Sequence, residues 1–394
     1  MPLKPSELLH SLAQKQSEFS QFHHQASQTF QDYRQALRKV SAQCDADLTE
    51  ILSDYAHPGA RPLEPLGRHP NWIIPCKLRW SSREESLQWV RDRLMGITTF
   101  AVDGSQIFPT KDVAPPVALV QVGWFENPHL PLGNYNKDIR LSVMSPAELQ
   151  VQHKNRSVER QVGMRRFEME VERVIEFIES QAGRSDCLVF FDGSLIATFA
   201  EAFDPDARSF YAQQYTHLLR ASEQYRVPLV GYIDSSHACD LVQMLRCLKG
   251  TPESPNLTDA QLVGAGMQWG DRTPLFWCDR PGDAWGQGIL AEYEEQAMSI
   301  AFTYLKTNDN PPARLEIPRW IYEAGLSDAV FDYVRGEVII GGGYPYVIET
   351  ADQVAVLQSE DRQLFFRLLQ DWAETEEIDV RFSRKMVSKY LRRR

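Results

Sequence analysis

Phe100-Ala101-Val102-Asp103-Gly104-Ser105 and Phe190-Phe191-Asp192-Gly193-Ser194 decide how this chain is read. Each is an apolar run that ends in Asp-Gly-Ser. The first is led by Ile97-Thr98-Thr99 and the second by Cys187-Leu188-Val189, and an unbroken run of this kind reads as a strand buried on both faces. A strand fixed in a sheet holds the carboxylate at its end rigidly, and the glycine that follows lets the backbone turn and leaves space beside the acid. Asp-Gly-Ser is also a common turn sequence, the Asp accepting from its own backbone. Two copies, each after an apolar run, favour acids aimed at one place.

Working outward, Val117 to Trp124 follows Pro115 and Pro116 and reads as an antiparallel neighbour of the first strand. Helices are expected over Glu84 to Met95, Ser157 to Ser180 and Ala207 to Tyr225. The run Pro228 to Ile233 forms a third strand with Asp234 at its tip. Strand and helix alternate, so the expected fold is α/β, a mixed sheet flanked by helices with its chemistry at the strand ends. Before this body, Ser6 to Cys44 carries an apolar beat (Leu8, Leu12, Phe19, Phe22, Phe30, Tyr33, Leu37, Val40) that predicts one long amphipathic helix capped by Ser6. The expected domains are a helical arm (1–55), a proline-rich linker without regular structure (56–82), a catalytic body (83–375) with a loop-rich insertion (250–290), and a basic tail (376–394). Within the body, a helix from Tyr293 to Lys306, a strand from Arg314 to Ile317 and a helix from Asp361 to Glu374 complete the pattern.

With 394 residues, 43% hydrophobic and 24% charged, the chain has the composition of a globular protein rather than a disordered or fibrous one. No apolar run approaches the roughly 18 residues of a membrane span. The opening Met1-Pro2-Leu3-Lys4 lacks a signal pattern, so the expected location is cytoplasmic. A net charge of -11 repels nucleic acid, which any polyanion partner must overcome through basic patches or bound cations. The 6 cysteines lie scattered without a CxxC pair, which argues against a zinc ribbon or a disulfide framework.

Two strand-end aspartates suit a hard cation such as Mg²⁺ or Mn²⁺, which takes oxygen ligands. A third acid is expected from the helix before the second motif. Taking Met164, Phe167, Val171, Val174, Ile175 and Ile178 as its buried stripe, Glu168 lies about 70° from the centre, Glu170 about 90° and Glu172 about 110°, so Glu168 is the expected ligand. The segment Gly341-Gly342-Gly343-Tyr344-Pro345-Tyr346-Val347-Ile348-Glu349-Thr350-Ala351-Asp352 supplies Asp352, as a ligand or a helix cap. Asp234 is a further candidate, or a cap for a helix near His237. Tyr344 and Tyr346 suit stacking on an unpaired base at about 1 to 3 kcal/mol each, or core packing. Arg156, Arg165 and Arg166 form a basic patch at the mouth of a strand channel, and Arg381 to Arg394 a second one.

In this order, Val-Asp-Gly-Ser, Phe-Asp-Gly-Ser-Leu after a Glu-bearing helix, and Gly-Tyr-Pro-Tyr-Val-Ile-Glu-Thr-Ala-Asp, the chain resembles the NurA-domain nucleases over roughly Thr98 to Leu369. The resemblance implies a ribonuclease H-like core and a Mn²⁺- or Mg²⁺-dependent nuclease acting on DNA ends and single strands. It further implies a homodimer and partnership with a HerA-like hexameric ATPase in double-strand break processing. The implied catalytic and metal-binding acids are Asp103, Glu168, Asp192 and Asp352. Two departures stand out. Archaeal members have histidine where this chain has Asp352, and a basic residue is expected where it has Asp234.

Two rival classes remain. One is a non-catalytic NurA-like adaptor or DNA clamp, which would form complexes without cleaving under any metal. The other is an actin-like phosphotransferase, disfavoured because no GxxxxGK[ST] loop or second glycine-rich phosphate clamp is present.

Overall fold

The computed structural model describes residues 3–149, 157–251, 256–280 and 288–383. The chain opens with helices α1 (Pro5–Gln14), α2 (Gln16–Val40) and α3 (Asp45–Ser53), then strand β1 (Gly59–Pro62) and helix α4 (Arg83–Leu94). Next come β2 (Thr98–Ile107), β3 (Val113–Ala114), β4 (Ala118–Asn127) and β5 (Asn136–Met144). Then follow α5 (Pro146–Leu149), α6 (Val158–Ser180), β6 (Cys187–Asp192), α7 (Pro205–Tyr225), β7 (Leu229–Ile233), α8 (Asp240–Lys249), α9 (Asp259–Gly264) and β8 (Phe276–Asp279). The last elements are β9 (Ile300–Leu305), β10 (Ala313–Pro318), α10 (Arg319–Glu323), α11 (Ser327–Ile340), α12 (Tyr346–Ala355), α13 (Ser359–Thr375) and β11 (Arg381–Phe382). Among the described residues no helix is long and apolar enough to cross a membrane.

Two compact units divide the chain. The first comprises Met1–Arg79, Ile233–Gly288 and Ile300–Glu316. Its strands run in the order β1-β8-β9-β10, with Gly59 opposite Asp279 in the antiparallel β1 and β8 pair. The far half of α2 buries Tyr33, Leu37 and Val40, while Leu8, Leu9 and Leu12 of α1 and Phe19 and Phe22 of α2 remain exposed. Inside this unit lies a buried charge network. Arg280 Nε and Arg314 Nη1 donate to Asp240 at 2.7 and 2.6 Å, Arg314 Nε donates to Glu316 at 2.7 Å, and Tyr304 Oη donates to Asp259 at 3.1 Å.

The second unit comprises Trp80–Tyr232, Ile289–Ser299 and Ile317–Arg394. Its strands run β7-β6-β2-β4-β5. Strands β2, β4 and β5 form an antiparallel meander, and β6 and β7 add in parallel to the other side of β2. This mixed sheet flanked by helices is a ribonuclease H-like arrangement.

Alternation along β2 sends its side chains to opposite faces. Phe100 points to α6, where its ring stacks on Phe177 at 4.0 Å. Thr99 points the other way and donates to Glu337 of α11 at 2.8 Å. Glu337 is fully buried, and it also accepts from the Val347 amide at the start of α12 at 2.9 Å and lies 3.1 Å from His129 Nε2. Burial works against charge on His129, but the Glu337 carboxylate and the Ile97 carbonyl outweigh it and raise the imidazole pKa.

Several expectations are corrected. Tyr293 to Lys306 is not a helix: a 3-10 segment (Ile289–Met298) precedes β9, whose residues Ile300–Leu305 are all buried. An unbroken Ile-Ala-Phe-Thr-Tyr-Leu run, rich in β-branched and aromatic residues, prefers a fully buried strand. The N-terminal helix is broken at Lys15 into α1 and α2, with no side-chain cap at either start. The proline-rich stretch carries β1, ending at Pro62. Strand β5, with Ile139, Leu141 and Val143 alternating with polar residues, is an element that the apolar runs alone do not reveal.

Candidate active site

Parallel pairing of β2 with β6 aligns Phe100 with Val189 and Ala101 with Phe190. Carried on by two residues, that register sets Asp103 level with Asp192 on the same face, with neighbouring strands about 4.8 Å apart. The two motifs then diverge. Strand β6 stops at Asp192, and Gly193 turns the chain away with φ 129°. Strand β2 continues to Ile107 against β4, so Asp103 lies within a strand and opposite Gly123. The end of its parallel neighbour leaves Asp103 half-buried rather than sealed in the sheet.

Gly123 brings in the next acid. A Cβ there would lie 2.7 Å from the Ala355 amide nitrogen, so the bare backbone of β4 is what lets the end of α12 rest on the sheet. Gln121 donates to the Ala355 carbonyl at 2.9 Å and the Leu357 amide donates to Ser105 Oγ at 3.2 Å, locking that end. Asp352, three residues before Ala355 in α12, thereby meets Asp103, and the two carboxyls share a hydrogen bond. Burial, with the added effect of Asp352, pushes the Asp103 carboxyl up to about 6.

The helical acid reaches the cluster from the opposite face through Gly104. A Cβ on that residue would stand 2.2 Å from Glu170 Oε1 and 2.7 Å from Arg166 Cγ. The absent side chain is a window in the sheet, and Glu170 fills it. Burial, with Asp103 and Asp192 nearby, raises Glu170 to about 7 against the opposing pull of Arg166. Arg166 Nη1 donates to Glu170 Oε1 at 2.6 Å and to the Gly104 carbonyl at 3.3 Å, while its Nε is buried with no hydrogen-bond partner.

Glu168 is not in this cluster. Its carboxylate accepts from Arg165 Nη1 at 2.7 Å, and Glu172 lies 3.7 Å from the same guanidinium. The buried set on α6 includes Val162 and Phe177 and leaves Met164 and Ile175 part-exposed. Those changes rotate the stripe by roughly 60°, placing Glu170 within about 30° of its centre and Glu168 about 130° away. Phe167, Glu170, Val174 and Phe177 share one line on the helix, and that spacing is the signal by which the sequence identifies Glu170.

Tyr344 Oη donates to Asp192 Oδ1 at 2.9 Å, and its ring meets Tyr232 edge-on at 5.2 Å. Tyr346 is half-exposed and packs edge-on against Phe125. Asp234 belongs to the first unit, where burial raises its pKa and Asn308 works to lower it. It caps no helix, since α8 begins at Asp240. Arg156 and residues 384–394 lie outside the described residues, and Arg381 pairs with Asp379 at 2.8 Å.

Among the described residues no three His, Cys, Asp or Glu side chains form a ready-made cation cage. The acids are gathered instead in partnerships: Asp103 with Asp352, Glu170 with Arg166, Asp192 with Tyr344. The donor set nevertheless fits a hard divalent ion. All its donors are carboxylate oxygens, Arg166 is the cation that offsets them, and the crowding that raises Asp103 and Glu170 is relieved by positive charge.

The model of the family described as NurA domain matches residues 97–357, well over half of the chain and a span holding all of these acids. The chain belongs to the NurA domain family. That membership makes it a nuclease. No curated protein matches the chain. Among solved structures it is similar to the catalytic domain of human endonuclease V (TM-score 0.34, 14% identity, covering 76% of this chain and 92% of that one). It is also similar to endonuclease V of Bacillus subtilis (TM-score 0.30, 13% identity, 75% and 97% covered). A third is Ciona intestinalis endonuclease V, solved in complex with a 24mer DNA containing an inosine followed by a ribo-adenosine (TM-score 0.30, 9% identity, 72% and 96% covered).

Proposed function

We propose that this NurA-domain protein is a Mn²⁺- or Mg²⁺-dependent deoxyribonuclease. It hydrolyses phosphodiesters at DNA ends and in single strands, in the cytoplasm and in double-strand break processing. The observation that carries this reading is the chain of contacts that links Asp352 to Asp103, and Asp103, Asp192 and Arg166 to Glu170, with Asp103 and Glu170 raised by burial and by the neighbouring acids. Those four acids would hold the ion. When bound, it supplies activation of water and neutralisation of charge at the phosphate and the leaving oxygen.

The chain's own groups do the rest. At pH 8, above about 6 and about 7, Asp103 and Glu170 give up their protons and would offer charged oxygens to the ion. Tyr344 Oη holds Asp192 in place through its 2.9 Å hydrogen bond. The part-exposed ring of Tyr346 suits stacking on an unpaired base, a contact that tolerates any sequence.

Two exposed surfaces support partners. Leu8, Leu9, Leu12, Phe19 and Phe22 on α1 and α2 suit a HerA-like hexameric ATPase. Ile139, Leu141 and Val143 on the edge strand β5 suit a second copy of the chain.

The test is digestion of end-labelled single-stranded and blunt duplex DNA with and without Mn²⁺, beside Asp192→Ala. Cleavage that needs the metal and is lost in the variant is expected. Cleavage in a chelator, or by the variant at the wild-type rate, would reject the reading.

A further inference from the structure

Arg166 Nη1 occupies Glu170 Oε1 at 2.6 Å, so an external cation that takes this oxygen must compete with the guanidinium for it. Arg166 has unusual freedom for a guanidinium in an ion pair. It is an i to i+4 partner of Glu170 on one helix, its side chain is about one-third exposed, and its Nε is buried without an acceptor. It therefore has a donor to spare and a route to solvent. A doubly charged ion entering beside Glu170 outcompetes a singly charged guanidinium for the carboxylate and repels it.

We propose that Arg166 is an exchangeable counter-ion. It holds Glu170 in the metal-free chain, yields that carboxylate when a divalent cation arrives, and turns its freed N–H groups to a non-bridging oxygen of the bound phosphodiester. This rests on the metal-dependent nuclease reading above and adds to it an order of events: cation first, then the arginine grip on the phosphate. A planar fork of donors suits that second role better than an ammonium does. The device also explains why one arginine sits among acids that must bind cations. It keeps the empty cluster from repelling itself apart until an ion takes over that charge.

The experiment is calorimetric titration of Mn²⁺ into the full-length protein at pH 8 without DNA, for wild type and Arg166→Met. It is paired with anisotropy of a labelled single-stranded oligonucleotide in Ca²⁺ across a salt series. Removing the competitor should tighten Mn²⁺ binding about fivefold or more, the sign a purely structural role would not give. DNA affinity should fall about tenfold, and the salt dependence should lessen by about 0.7 in log–log slope, one phosphate contact fewer. Arg166→Lys should recover part of the DNA affinity. If Arg166→Met loses its native circular dichroism, Arg166→Gln carries the same expectations.

Mn²⁺ affinity that is unchanged or weaker in a folded variant, with wild type binding the ion, overturns the exchange and leaves the nuclease reading standing. Tighter Mn²⁺ binding with unaltered DNA affinity overturns the grip on phosphate. Wild type that takes up no Mn²⁺ overturns both this inference and the reading beneath it.

Discussion

Two clusters of acids in this chain, one buried and one partly open, meet opposite fates. In the first unit, Asp240, Asp259 and Glu316 face Arg280 and Arg314. Burial and Asp240 push Asp259 up to about 7, while the carboxylates of Asp240 and Glu316 are matched by the two guanidinium groups that bond to them. Burial also works against charge on Asp240, but its two arginines prevail and hold its pKa below the ordinary aspartate value. In the second unit Arg166 stands against Glu170 and Asp103, with Asp192 near Glu170 and Asp352 on Asp103. A charge network that closes on itself is architecture. One left negative and partly open where β6 ends suits a cation.

Substitution should separate the two most sharply. Asp103→Asn or Asp192→Asn should lower metal-dependent cleavage by about a thousandfold or more while leaving the melting temperature in chelator unchanged or higher, since repulsion is removed. Asp240→Asn should do the reverse, costing about 3 to 5 kcal/mol in a urea titration because Arg280 and the buried Arg314 lose the carboxylate they share. An Asp192→Asn protein that cleaves normally, or an Asp240→Asn protein of full stability, would erase the distinction.

Gly104→Ala tests the window. Its Cβ would need the space held by Glu170 Oε1, 2.2 Å away. The expected cost is about 1 to 3 kcal/mol in stability, with about a hundredfold loss of cleavage as Glu170 is displaced. Wild-type rates in this variant would show that Glu170 does not act from that position.

The pH dependence is expected to be smaller but diagnostic in sign. Folded Asp103 and Glu170 bind protons more tightly than they do in the unfolded chain, having been raised to about 6 and about 7. Their contribution is therefore present in full below about pH 4 and is lost as pH rises through about 6 to 7, so the metal-free protein should melt lower at pH 8 than at pH 5. Asp259 adds a change of the same sign, but only the share of Asp103 and Glu170 should be restored by Mn²⁺ at pH 8. Cleavage should rise through the same interval. A melting temperature that climbs from pH 5 to pH 8 in chelator would contradict the protonation argument.

Smallest of all, Glu168→Gln should change cleavage less than about twofold, since a part-exposed pair with Arg165 is worth at most about 1 kcal/mol. A large loss there would return the helical role to Glu168.

Much of the site is legible in the chain because rigid elements announce themselves. The apolar runs before Asp103 and Asp192, rich in β-branched and aromatic residues and each closed by Asp-Gly-Ser, read as buried strands, and their acids are fixed by that. Asp352 follows from the glycine-rich entry to α12. Glu170 is harder to read. The helix has apolar residues almost all round, so omitting Phe177 and Val162 turns its stripe enough to promote the wrong glutamate. Windows such as Gly104 and Gly123 depend on what lies across the sheet, which no local pattern encodes. Strand β9 is hard to read for a related reason: a short fully apolar run suits helix and strand alike until its neighbours are known.

The most direct test is an anomalous difference map from crystals of the protein grown with Mn²⁺. The account predicts density among the carboxylates of Asp103, Glu170 and Asp192, with none between Asp240 and Asp259. Density confined to the first unit, or a cluster that stays empty at saturating Mn²⁺, would contradict it.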